Sequence, residues 1–497
     1  AASDVYKRQG YDPEEYNLVI IGSADWTPGG VSWGGGNGVT LGWIDAVILV
    51  HEVGHALGLP HSNFLLSNGT TQEYGNPYDT MGGGGGMQGQ YGVTFKRSLE
   101  WLNGEVIVTN PQSGVYRIHG LDLGYNQAGR IYGFSVQSGA DTYNFEYYAN
   151  IAPEYESSKG NRANAALLMM KEVLLIDTTP ETVDVKQDAG IDVGRTYQIP
   201  GTNTFVTVLD KGGEYLDVNV QVGPFAGNTA PSAMFTASAA QVQRGDKLTF
   251  TASALDAQAD ALAYFWQFSD GVVGSGASFT RGFTQSSATT VNVKLVVSDM
   301  HGGTVTLSTD VTAGAAATGS GPLNVGSLVE TIGGTPMVSV FATDAYAQEG
   351  DDTATLTFTR AGSSLAGDLV IKLAYTSTGT AGVDFAALPS TVTIGAGQRT
   401  ATLNVSMLDD AVREAFESLT VNIVADAAYA VATGNGSATV SLNDDDTPQI
   451  SVQALDASIT EGQWDSGAFL FTRTGPIDQA MTVYYGLSGT AMNGVDF

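Results

Sequence analysis

Three of the five histidines lie in one short run, His51-Glu52-Val53-Gly54-His55-Ala56-Leu57-Gly58-Leu59-Pro60-His61. On a helix, residues four apart stand one turn above each other on one face, so His51 and His55 can both turn an imidazole toward one cation. Glu52 stands one step round that face, where its carboxylate reaches a water beside the cation rather than the cation. Gly58 lets the chain leave the helix through a left-handed conformation and Pro60 forbids resumption, so the backbone turns back and delivers His61 as a third ligand. Three imidazoles leave the fourth position of a zinc ion open, and a base at Glu52 completes the set needed to hydrolyse a bond with an activated water. Asp45 to Leu57 could also be an ordinary buried helix, but that reading leaves the intervals, the Glu and the Gly unexplained.

This H-E-x-x-H-x-x-G-x-x-H run resembles the extended zinc motif of the metzincin metallopeptidases. Those enzymes also place a methionine turn beneath the metal, and Met81 in Tyr78-Asp79-Thr80-Met81-Gly82-Gly83, after the turn-forming Tyr74-Gly75-Asn76-Pro77, matches it. Glu73-Tyr74-Gly75-Asn76 and Phe95-Lys96-Arg97-Ser98-Leu99-Glu100-Trp101-Leu102 resemble the gametolysin family and its bacterial relatives, over roughly residues 15 to 225. The resemblance implies an α/β catalytic domain, catalytic zinc on His51, His55 and His61, Glu52 as general base, and Met81 and Gly58 in structural roles. Some metzincins carry a tyrosine near the zinc two residues after the methionine; Gly83 occupies that position here. Residues 1–105 are expected to be such a domain, lacking part of its N-terminal half, with Ala1 to Gln9 unlike the rest of the domain in pattern and artefactual in look.

The chain has 497 residues, of which 63 are glycine and only 14% are charged, which predicts several domains built of short strands and turns. A net charge of −30 argues against nucleic acid or an anionic membrane as a partner. No cysteine is present, so disulfides cannot staple the fold, and calcium is the natural substitute. No apolar run reaches the ~18 residues of a membrane span.

Short alternating runs such as Val115-Tyr116-Arg117-Ile118 and Thr142-Tyr143-Asn144-Phe145 predict a β-rich companion domain over 106–227, in which His119 is read as structural. Residues 228–312 resemble a polycystic-kidney-disease (PKD) domain through Tyr264-Phe265-Trp266-Gln267-Phe268-Ser269-Asp270-Gly271, with Trp266 and Phe268 on one face to plug a sandwich core. His301 is read there as a turn residue without a ligand role. Residues 313–334, rich in Ala, Gly, Ser and Thr, read as a linker.

Beyond it an internal repeat appears. Thr335-Pro336, Glu349-Gly350 and Gly382-Val383-Asp384-Phe385 recur at one constant interval as Thr447-Pro448, Glu461-Gly462 and Gly494-Val495-Asp496-Phe497. This marks tandem domains, at 335–446 and, cut short, at 447–497. Acids gather at the segment ends of the first copy: Glu349, Asp384, Asp409, Asp410, Glu414, Glu417, Asp444, Asp445 and Asp446. Strands between them would bring these ends to one pole of a sandwich, where the carboxylates repel unless a hard cation satisfies them. The pattern resembles a Calx-beta domain and implies structural calcium.

The expectation is therefore multidomain: an α/β catalytic domain followed by all-β sandwiches. It would be a secreted zinc endopeptidase acting on protein or glycoprotein outside the cell, held near matrix or cell surface by calcium-stiffened modules, with no nucleic acid and no membrane insertion. Competing readings are a non-catalytic calcium-dependent adhesin on a peptidase scaffold, which has no need of Glu52, and a metal-dependent hydrolase of other substrates.

Overall fold

A computed structural model describes residues 19–22, 30–32, 38–41, 46–66, 68–83, 91–102, 107–122, 130–149, 165–171, 173–179, 189–314, 321–327, 335–350, 352–362, 365–410, 416–444, 449–458, 467–474, 482–488 and 490. These residues are mostly strand, arranged as successive sandwiches; the helices among them are α1 (Ala46–Ala56) and α2 (Val93–Ser98).

In the N-terminal part, Val19–Gly22 runs parallel to Gly38–Leu41, and Gly30–Ser32 adds antiparallel on the other side. Helix α1 comes next and packs on the last two strands. It ends as its glycine dictates. Gly58 takes φ +89°, its N–H donates to the His55 carbonyl, and the Leu59 N–H reaches back to the Gly54 carbonyl. This pair of bonds is a Schellman motif, and it turns the chain toward His61.

One sheet then crosses the expected boundary at residue 105. Its strand order is Thr71–Gln72, Asn63–Leu65, Leu174–Ile176, Ala165–Met170, Asp141–Glu146, Gly133–Ser138, Ile107–Thr109. Phe64, only 1% exposed, explains the merger: the segment after His61 buries its apolar side chain by pairing in parallel with Leu174–Ile176 of the companion domain. A second sheet, Thr196–Gln198, Thr204–Lys211, Tyr215–Val222, Gly114–His119, shares a core with the first that includes Ile118, Phe134, Phe145, Leu168 and Val218.

In the PKD-like segment, Trp266 is fully buried between Phe235 and Phe250, and its indole N–H donates to the Gly276 carbonyl at 2.9 Å, as a buried Trp requires. The expected linker is not all linker. Leu323–Gly326 pairs with Ser232–Ala237 and closes one PKD sheet, while 315–320 and 328–334 lie outside the described residues. The next sandwich has sheets of order 400–406, 353–361, 337–344, 430–431 and 346–348, 437–443, 417–423, 369–377, 391–394. The internal repeat extends to backbone detail: the pairing of Met337–Asp344 with Thr353–Ala361 is bulged between Ala342 and Asp344, and that of Gln449–Asp456 with Ala468–Thr474 between Ala454 and Asp456.

Candidate metal centre

The C-terminal half of α1, the turn after it and the loop carrying Met81 bring the three histidines together. One ring nitrogen of each lies within 4.8 Å of the other two. Every Nδ1 is tied to an acceptor: His51 donates to the Thr80 carbonyl at 2.7 Å, His55 to the Leu59 carbonyl at 2.9 Å, and His61 to Glu73 Oε1 at 2.8 Å. That pattern fixes each tautomer and turns the Nε2 lone pairs inward, as ligating imidazoles require. His55 Nε2 and His61 Nε2 stand 2.9 Å apart, and two lone pairs at that distance need a cation or a proton between them. Burial, offset in part by the Thr80 carbonyl, lowers His51 below its ordinary pKa and favours the neutral, ligating form. The donor set fits zinc. Glu52 is buried at 7% exposure on the same helix, beside His51.

The three histidines, Gly58 and Met81 singled out in the sequence come together here, with supporting contacts that the sequence did not foretell. Met81 is fully buried with Leu59, Tyr91 and Phe95. Its Sδ lies so close under α1 that a Cβ on Gly54 would meet it at 2.3 Å, so Gly54, between His51 and His55, is the space that admits the methionine. Asp79 shapes the turn, its two oxygens accepting the Met81 N–H at 2.7 Å and the Gly92 N–H at 2.8 Å. Glu146, from the companion sheet, accepts the Val93 N–H at the start of α2 at 2.7 Å. Burial pushes both carboxyls up to about 7, against the pull of those bonds. Tyr74 takes a left-handed φ of +56°, with its N–H on Asn63 Oδ1, and lays its ring 4.0 Å from that of His61. Glu73 and Tyr74 come shortly after His61 in the motif-bearing stretch; Glu146 carries no sequence signal that links it to the site.

The Calx-like acids gather at one pole. Strand register places Gln348 beside Asn443 and Glu417 beside Leu442, which brings Glu349, Glu417 and Asp444 to the same end. The Leu408 N–H donates to the Asp384 carbonyl, so Asp409 is next to it. Asp384 and Glu417 converge on Gly379, where an added Cβ would lie 2.3 Å from a Glu417 oxygen and 3.3 Å from an Asp384 oxygen. Burial, reinforced by Asp384, raises the Glu417 pKa. Asp409 and Asp410 are exposed. Glu414, Asp445 and Asp446 lie outside the described residues, and among those described no three of these acids come within 4.8 Å of one another.

The architecture after the histidine segment defines a class: successive β-sandwiches, one of them with acids gathered at one pole. Comparison with known families names two of its modules. The PKD domain model matches residues 228–313 and the Calx-beta domain model residues 333–446, so the chain carries a PKD domain and a Calx-beta domain. No curated protein matches it. Among solved structures, the chain is similar to an apo-form Calx CBD1 domain (17% identity, 23% of this chain and 100% of that one, TM-score 0.20). It is similar also to CBD12 from CALX1.2 (14%, 28% and 69%, TM-score 0.21) and to Escherichia coli alpha-2-macroglobulin activated by porcine elastase (10%, 65% and 33%, TM-score 0.15). The assignment of the two modules rests on the family models. Among the described residues no helix is long and apolar enough to cross a membrane.

Proposed function

We propose that the chain is a metzincin-like zinc endopeptidase of the gametolysin type, acting on extracellular protein or glycoprotein, with PKD and calcium-binding Calx-beta modules as spacer and adhesive arms. The observation that carries this reading is the set of three Nδ1 anchors at Thr80, Leu59 and Glu73, which points three imidazoles at one spot beside Glu52. Zinc held there by His51, His55 and His61 would supply Lewis acidity toward a water and the scissile carbonyl. Glu52 accepts a proton from the attacking water and returns it to the leaving amine nitrogen, which restores the carboxylate. Glu73 and the Thr80 and Leu59 carbonyls hold the imidazoles in place, and Met81 supports the helix from below.

At the other end, the shared pole of Glu349, Asp384, Asp409, Glu417 and Asp444 supports calcium, since crowded carboxylates gain from a hard cation with many oxygen ligands. The test is cleavage of casein or a matrix glycoprotein, with elemental analysis of the purified chain. About one zinc per chain, chelator-sensitive cleavage, and a Glu52→Gln variant that keeps zinc while losing turnover by at least about a hundredfold are expected. Equal cleavage by Glu52→Gln would refute the role of the base. Zinc retained with no cleavage of any protein substrate would favour the adhesin reading.

A further inference from the structure

Tyr74 stands beside the histidine cluster in a backbone conformation that a bulky residue rarely adopts, a left-handed φ of +56°. The loop around it is fixed on both sides. Its N–H donates to Asn63 Oδ1 at 3.1 Å, and the Gly75 N–H donates to the Gln72 carbonyl at 3.1 Å. Asn76, fully buried, donates its side-chain amide to Ser62 Oγ at 3.0 Å, and its carbonyl accepts the Gly83 N–H at 2.8 Å. Two glycines permit this close packing: a Cβ on Gly75 would meet Phe64 Cβ at 2.5 Å, and one on Gly83 would meet the Tyr74 carbonyl oxygen at 2.8 Å. A side chain at 83 and Tyr74 in its present place therefore exclude each other.

This frame presents a phenol to the site. The Tyr74 ring lies 4.0 Å from that of His61 and 5.7 Å from that of His51, yet the residue is 47% exposed, so it covers one flank of the cluster without closing it. Tyr91 and Tyr148, in the same part of the chain, engage their hydroxyls on the Val50 carbonyl and on Glu146. Among the described residues the Tyr74 hydroxyl has no hydrogen-bond partner. A phenol is protonated at neutral pH and has one hydrogen bond to donate. Strained backbone, rigid support and a free donor coincide here, beside the helix that carries His51 and Glu52.

We propose that Tyr74 is a catalytic residue of the peptide hydrolysis assigned to this site, its hydroxyl donating to the scissile carbonyl oxygen as negative charge develops there. The assignment rests on the peptidase reading of the histidine site. As the water oxygen bonds to the carbonyl carbon, the π pair moves onto the carbonyl oxygen, and Tyr74 donates to that oxygen without giving up its proton. The pair returns to carbon when the C–N bond breaks and the proton held by Glu52 passes to the amine nitrogen. Charge on that oxygen is greater in the transition state than in the bound peptide, so the hydrogen bond acts on turnover more than on binding. A donor on a rigid loop suits the task, because it need not reorganise as the charge appears.

The experiment uses the full chain loaded with zinc. Its readouts are peptide turnover, zinc content and the affinity of a phosphinic peptide, a tetrahedral anion that is not cleaved. Tyr74→Phe keeps the ring on His61 and removes the donor. It should retain zinc, lower kcat about a hundredfold with KM within about twofold, and weaken the phosphinic peptide by about as much as kcat. Gly83→Ala, whose methyl displaces the Tyr74 carbonyl, should lower kcat at least about tenfold in the parent and far less in Tyr74→Phe. A Tyr74→Phe variant with parental kcat and parental phosphinic affinity overturns the proposal. A loss confined to KM or to zinc content overturns it as well, since the ring would then only support His61. A parent that neither cleaves peptides nor binds the phosphinic peptide overturns the peptidase reading itself, and the role of Tyr74 with it.

Discussion

Arg117 is a buried cation whose loss would leave a buried carboxylate without its partner. It is 7% exposed and forms a bidentate pair with Asp217, Nε to Oδ1 at 2.8 Å and Nη2 to Oδ2 at 2.9 Å. The same guanidinium lies 3.5 Å from the ring centroid of Tyr215 and 4.6 Å from that of Tyr346, and reaches Asp344 at 3.2 Å and Asp352 at 3.7 Å. Its backbone N–H donates to the Tyr346 hydroxyl. Arg117 and Asp217 belong to the companion domain, whereas Tyr346, Asp344 and Asp352 belong to the Calx-beta domain, so one cation joins two modules that are not neighbours in sequence.

Arg117→Met keeps most of the packing volume and removes the charge. Asp344 and Asp352 are 32% and 40% exposed, so their pairs with Arg117 contribute within ~1 kcal/mol each. Asp217, with a side chain 2% exposed, decides the outcome: a buried carboxylate stripped of its partner costs about 3–5 kcal/mol. Loss of stacking on the two tyrosines adds on the order of 1 kcal/mol. Arg117→Met combined with Asp217→Leu removes both charges, and most of the loss should return. Burial already raises the Asp217 pKa against the pull of Arg117, so the bare carboxyl should take up a proton as pH falls. With a raised folded-state pKa, the penalty is complete above that value and disappears below the unfolded one, so the single variant should approach the parent toward pH 4. Calorimetry of the full chain at pH 7 and pH 4 reads both effects. A single variant within 1 kcal/mol of the parent at pH 7, or a double variant no better than the single, would refute the reasoning.

Gly54→Ala gains helix propensity but drives a methyl into Met81 Sδ; it should cost about 1–3 kcal/mol in urea unfolding and weaken zinc retention, and Met81→Ala should be less damaging on that background than alone. A cycle with no coupling would remove Met81 from beneath the helix. His119 has a folded-state pKa lowered to about 3, by burial first and then by Arg130 and Arg117, so its contribution is whole above the ordinary value of 6.5 and is lost as pH falls below it. By pH 4 that loss is on the order of 3 kcal/mol, and His119→Gln should be flatter than the parent by that amount in denaturant midpoints between pH 7 and 4.

The histidine cluster was legible in the sequence because its geometry is local: helix pitch aligns His51 with His55, and a glycine exit returns His61. The PKD and Calx-beta modules were legible because strand alternation and repeated acids survive as patterns in one dimension. What could not be read is what long-range pairing creates. No local rule sets Phe64 beside Leu175, and with that pairing the boundary at 105 dissolves into a single sheet. Glu146 reaches the α2 terminus from a strand of the companion sheet, and Arg117 meets Tyr346 from another domain.

His301 shows how the same limit applies to function. Read along the chain, it has no ligand partner near it and becomes a turn residue. In space it faces Asp260 across 3.3 Å and packs its ring 4.8 Å from that of Phe225, at the meeting of two domains. The three PKD acids likewise look unremarkable in sequence, since Asp256 and Asp260 flank an ordinary turn and Asp299 begins another. Only the sandwich, by bringing two loops to one end, turns them into a buried cluster with an unpartnered oxygen. The zinc motif is written into one helix and its exit, whereas the acidic cluster exists only through the fold, so a sequence search finds the first and passes over the second.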